Sequence, residues 1–162
     1  MVEISYTEEQ QIVANIFPRI AAIISICCAL YIIITVLRSK YYRSRIYHRI
    51  MLGCGVNIIV FSMTYLWGTA ALPVETHRLG AAGNTATCST YGFFFQYTMF
   101  ITPSYYFGLS IVSVLAIRNK FDFFKVAWVE KWIHIGVHAF PLSSASYLLS
   151  IEAYNPMVNA CG

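Results

Sequence analysis

Four histidines and five cysteines have the widest chemical reach in this sequence. His134 and His138 stand at i and i+4, so a helix there turns both imidazoles to one face, a spacing that suits a shared metal ion. Paired with either of them from another helix, His48 would offer the two axial ligands that a haem in a helical bundle requires. His48 falls in a basic run, however, and His77 lies in a different connection. The cysteines divide by surroundings. Cys27, Cys28 and Cys54 sit inside apolar runs and are expected to behave as small buried apolar residues. The side chains of the adjacent Cys27 and Cys28 diverge on a helix. Cys88 closes the polar stretch Gly83-Asn-Thr-Ala-Thr-Cys88 just before the aromatic run Tyr91-Gly-Phe-Phe-Phe-Gln96, and Cys161 is close to the end of the sequence. Nucleophile-elbow, His-Glu-x-x-His and phosphate-binding glycine patterns do not occur. No catalytic residue, metal ligand or cofactor is therefore assigned, and the chain is not read as an enzyme.

The elements that hold these residues are set by the composition. Of 162 residues, 58% are hydrophobic and 11% charged, with a mean hydropathy of +0.61. Soluble domains carry about 25% charged residues, so the expected class is an all-α, polytopic transmembrane helical bundle. Runs from Ile20 to Leu37, Ile50 to Val74, Thr76 to Ile117 (interrupted by Arg78) and Trp132 to Ile151 reach the roughly 20 residues that a span requires. They predict helices near 15–37, 50–73, 87–117 and 132–152 in a single domain, 1–162. The acidic leader (Glu3, Glu8, Glu9) and the long first run do not fit a cleaved signal peptide.

Nine of the eleven basic residues fall in 38–49 (Arg38, Lys40, Arg43, Arg45, Arg49) and 118–131 (Arg118, Lys120, Lys125, Lys131), whereas residues 1–14 hold none. By the positive-inside rule these two connections are cytoplasmic, the N-terminus is extracellular, and Cys88 and Cys161 share the outer, oxidising side. The basic run Arg38-Ser-Lys-Tyr-Tyr-Arg-Ser-Arg-Ile-Tyr-His-Arg49 is read as contacting anionic membrane lipid, not nucleic acid.

Polar and small residues recur along each helix. Gly53, Asn57, Thr64 and Gly68 share a stripe in the second. Ser89, Gln96, Pro103 and Ser110 recur every seven residues in the third, and His134, His138, Pro141 and Ala145 align in the fourth. Such stripes are expected to face other helices. The third run, 31 residues from Thr87 to Ile117, makes a helix of about 46 Å, longer than the hydrocarbon core. Pro103 is expected to kink it.

An extracellular N-terminus, a short basic first inner loop, a long third helix opening at Cys88 and a second outer cysteine after the fourth helix resemble the G-protein-coupled receptor superfamily. The stretches Gly83-Asn-Thr-Ala-Thr-Cys-Ser-Thr-Tyr-Gly-Phe-Phe-Phe-Gln96 and Leu109-Ser-Ile-Val-Ser-Val-Leu-Ala-Ile-Arg-Asn-Lys-Phe121 look most like divergent receptor-like proteins of unicellular eukaryotes, with some likeness to cyclic-AMP-receptor-like sequences. The resemblance covers the first four of seven helices. It implies a plasma-membrane receptor that senses an extracellular ligand and signals through a heterotrimeric G protein, and a disulfide between Cys88 and Cys161. A ligand site in the outer third would use Gln96, Tyr97, Phe100 and Tyr147. Arg118 stands near the position of the family's inner-end switch and is equally a positive-inside anchor; the Asp-Arg-Tyr motif itself is absent. The rival readings are a complete four-helix haem or metal redox protein and a tetraspanning scaffold.

Overall fold

Helix α1 (Glu8–Arg38) starts well before its apolar run because Thr7 caps it. The Thr7 hydroxyl accepts from the Gln10 amide, and the Gln10 side chain accepts from the Thr7 amide, a reciprocal capping box. The helix therefore projects about two turns beyond the expected start at residue 15. The computed structural model describes residues 7–76, 80–120, 122–155 and 161, with the backbone alone at 8 and 123–125. Glu3, His77 and Arg78 lie outside the described residues.

Ser39 breaks the chain out of α1 and caps a five-residue helix α2 (Lys40–Ser44). After Arg45 comes α3 (Ile46–Trp67), which stops at Gly68, whose φ of 46° lies in the left-handed region that favours glycine. A 3-10 turn (Gly68–Ala71) follows, with a second at Val74–Thr76. Asn84 opens α4 (Thr85–Arg118) with a second capping box, shared with Thr87. The last helix is α5 (Phe123–Ser150).

Three helices, Glu9–Arg38, Ile46–Ala71 and Thr85–Arg118, are long and apolar enough to cross a membrane. Among the described residues α5 is not one of them. It is 28 residues long, but His134, His138 and the serines at 143, 144 and 146 dilute its apolar run. The expected first three spans thus stand as candidate membrane crossings, and the fourth stands as a helix.

The helices pack in chain order, α1 on α3, α3 on α4 and α4 on α5. Helix α1 is peripheral, and it meets α3 through Ala22, Ala29 and Val36, each buried and each seven residues from the next. Such small residues allow close backbone approach; a Cβ on Gly55 would lie 3.2 Å from Ile33. The rest of α1 exposes large apolar side chains, with Phe17 at 72% and Tyr31 at 74% exposure. That pattern suits lipid as solvent. It also corrects one expectation, since Cys27 and Cys28 are on this exposed face and, of the three free cysteines, Cys54 alone is buried.

Ile46, Ile50, Cys54, Ile101, Tyr105 and Val112 form the main core with valines and Ile133 of α5. The inward face of α4 carries Cys88, Tyr91, Thr98, Ile101, Tyr105, Gly108 and Val112. The expected stripe through Ser89, Gln96, Pro103 and Ser110 is not that face, because Pro103 and Ser110 are exposed. Ser104, Ser110 and Ser113 donate to the carbonyls of Phe100, Tyr106 and Leu109 in their own helix. A hydroxyl satisfied four residues back needs no partner across an interface. The stripes of α3 and α5 do turn inward at Asn57, Thr64, His134, His138, Pro141 and Ala145.

Candidate functional site

Gly53 of α3 opens the interior of the bundle. Its missing side chain leaves room for the Tyr105 hydroxyl, which a Cβ there would approach to 2.8 Å, and for the edge of His134 at 3.1 Å. Tyr105, 1% exposed, reaches from α4 to both histidines of α5. Its hydroxyl is 3.0 Å from His134 Nδ1 and 3.2 Å from His138 Nε2. The other nitrogen of His138, Nδ1, is 2.8 Å from the Tyr97 hydroxyl. The i, i+4 spacing of the histidines and the eight-residue offset between Tyr97 and Tyr105 place all four groups in one chain, Tyr97–His138–Tyr105–His134.

Proton counting limits what this chain can do. A neutral imidazole has one N–H and one bare nitrogen, and a phenol has one O–H. With both rings neutral and the buried Tyr105 hydroxyl giving its own proton to one of the two imidazoles, each of the three hydrogen bonds receives one proton only if all point the same way. Either Tyr97 donates to His138, His138 to Tyr105 and Tyr105 to His134, or every bond is reversed. The network therefore has two fully satisfied polarities.

Two further polar ties flank it. Toward the basic end of the bundle, Arg49 of α3 donates from Nε to Glu130 Oε1 of α5 at 2.7 Å, with a second bond from Nη2 to Oε2. Both residues were read as parts of connections. The structure places them in helices, which extend past the apolar runs because each charge meets the other. At the opposite end, Tyr154 and Cys161 of the segment after α5 lie against α4. Tyr154 is buried against Gly92, where a Cβ would lie 2.6 Å from its ring, and its hydroxyl donates to the Ala145 carbonyl at 3.1 Å. Burial pushes the Tyr154 phenol above its ordinary pKa. One turn before Gly92, Cys88 is bonded to Cys161 with their Cα atoms 5.3 Å apart. The two sulfurs lie in a buried cluster with Ala71, Leu72 and Tyr91.

The proposed ligand residues are not gathered in one place. Tyr97 belongs to the interior chain. Phe100 packs edge-on against Phe140. Gln96 is half-buried, and Tyr147 is 65% exposed on the outside of α5. Arg118 is exposed in the last turn of α4, where a cation favours the helix dipole. His48 does not join His134 and His138; its ring stacks on Tyr42 with centroids 4.6 Å apart. Among the described residues no group of three or more His, Cys, Asp or Glu could hold a metal ion.

Arg19 was missed by the sequence reading, although its signal was there. It is a lone cation within α1 in an otherwise uncharged stretch from Gln10 to Leu37, and ionisable residues at such positions mark functional sites. It lies beside Thr69 of the 3-10 turn that follows α3. No known protein family, curated protein or solved structure matches the chain.

Proposed function

We propose that the chain is part of a receptor-like membrane protein that binds an extracellular ligand and signals through a heterotrimeric G protein. In this reading the N-terminus is outside the plasma membrane and α5 is the fourth span. The observation that supports it most is the Cys88–Cys161 bridge, which fastens the head of α4 to the segment after α5. The resemblance to G-protein-coupled receptors implies a tie at that place. The interior supplies a second support. A ligand moves an equilibrium only by binding two arrangements unequally, and a hydrogen-bond chain with two satisfied polarities is an element with two arrangements.

Two measurements test the proposal. Cysteines introduced at Ser44 and Asn119 should react with an impermeant thiol reagent only after cells are permeabilised, and labelling in intact cells would overturn the orientation. Membranes containing the protein should raise guanine-nucleotide exchange on at least one class of heterotrimeric G protein, with a changed rate in Tyr105→Phe. Exchange at the level of empty membranes for every class would remove the signalling part.

A further inference from the structure

The geometry points to a binding site for an oxyanion, a carboxylate or phosphate group, held by Asn15, Arg19 and Thr69 at the disulfide end of the bundle. Asn15 and Arg19 are four residues apart on one face of α1. Both donate to the same acceptor, the Thr69 hydroxyl oxygen, at 3.1 Å from Asn15 Nδ2 and 3.3 Å from Arg19 Nη2. Thr69 is buried and accepts two bonds, so its own proton needs an acceptor elsewhere. Arg19 Nε is buried and has no hydrogen-bond partner. Among the described residues no carboxylate pairs with Arg19.

Donors thus outnumber acceptors around a half-buried cation whose Nε is shut off from solvent, and such a cluster is satisfied by a group that is negative and accepts several bonds at once. Guanidinium matches carboxylate and phosphate in this way. Space for the group is present. A cavity of about 140 Å³ is lined by Asn15, Gly68 and Thr69, with Tyr65, Tyr91 and Phe95 as an aromatic wall; Arg19 is not on that wall and borders the space through its bond to Thr69. Drug-sized ligands occupy pockets of roughly 300 Å³ or more, so this one takes an anionic head with a short body. A Cβ on Gly68 would stand 3.7 Å from Arg19 Nη2, so the guanidinium lies beside the bare backbone of Gly68. The anion can be a free solute or the headgroup of an anionic lipid, since α3 ends at this level. The site requires no signalling activity and stands apart from the receptor reading.

The test is thermal unfolding of the protein in an alkyl-maltoside micelle, which carries no anion of its own. The probes are benzoate, inorganic phosphate and phosphatidylglycerol, each against chloride at equal ionic strength. Saturable stabilisation by benzoate or phosphate identifies a solute site; stabilisation by phosphatidylglycerol alone identifies a lipid site. Either effect should vanish in Arg19→Gln. If that variant does not fold, Thr69→Val carries the test, with probe affinity about tenfold lower and Thr69→Ser close to wild type. The proposal is overturned if no probe exceeds chloride with the wild-type protein. It is equally overturned if the folded variants respond as the wild type does.

Discussion

The Tyr105 hydroxyl lies 3.2 Å from His138 Nε2, and Tyr97 takes the second nitrogen of the same ring. Tyr105 also serves His134 at 3.0 Å, so its removal strips hydrogen bonds from two imidazoles, whereas removal of the Tyr97 hydroxyl strips one. Tyr105→Phe should therefore destabilise the protein more than Tyr97→Phe, by about 1–3 kcal/mol against about 1 kcal/mol. Thermal unfolding of the two variants in the same micelle checks the order. Equal losses would mean that His134 finds another partner.

The Arg49–Glu130 pair predicts a charge-reversal rescue. Glu130 is 17% exposed, so a lone charge there is incompletely hydrated, whereas the Arg49 side chain at 40% keeps more of its water. Arg49→Glu and Glu130→Arg should each destabilise the bundle, and the double variant should recover much of the loss, with a coupling of about 1–3 kcal/mol. Additive losses in the double-mutant cycle would show that the pair contributes nothing specific.

Both ties show where sequence reading stops. The apolar runs revealed helical segments because a span needs about 20 residues without charge, whatever its partners. Their ends were hidden because they depend on local partners: Thr7 with Gln10 starts α1 ahead of its apolar run, and Arg49 pairs with Glu130 on helical turns that precede the apolar runs of α3 and α5. The histidine face of α5 was legible from its i, i+4 spacing. That Tyr97 and Tyr105 meet it was not, because tyrosines are scattered along the chain and the rotation of α4 is fixed by contacts with both neighbours. The serine stripe misled for a chemical reason. A hydroxyl on a helix can satisfy itself four residues back, so its presence does not reveal which way the face points. Arg19 was the reverse case, a single informative charge in a long apolar context.

The fit of Tyr154 over Gly92 predicts a size threshold. A Cβ at Gly92 would fall 2.6 Å from the Tyr154 ring, whereas nothing lies within 4 Å of one at Gly136. Gly92→Ala should displace the segment after α5 and destabilise the protein by about 1–3 kcal/mol, as overpacking does. Gly136→Ala should be neutral or slightly stabilising through helix propensity. Limited proteolysis after Ser150 provides a local readout, with faster cleavage expected in Gly92→Ala alone. Equal cleavage of the two variants would show that Tyr154 is not held by Gly92.

The Cys88–Cys161 bridge closes a loop with a sequence separation of 73. Chain entropy for a loop of that size in water amounts to about 4–5 kcal/mol, and less where a membrane already restrains the unfolded chain. Non-reducing peptide mapping should recover the linked pair, with Cys27, Cys28 and Cys54 as free thiols. Cys88→Ala and Cys161→Ala should lower thermal stability by similar amounts, and the double variant should lose no more than either alone, because each single change already opens the same loop. Reduction should reproduce that loss in the wild type and leave the double variant unchanged. Losses that add in the double variant would mean the two side chains contribute separately through packing in the cluster with Ala71, Leu72 and Tyr91. Free alkylation of both thiols in the folded, unreduced protein would leave Tyr154 on Gly92 as the hold of this segment on α4.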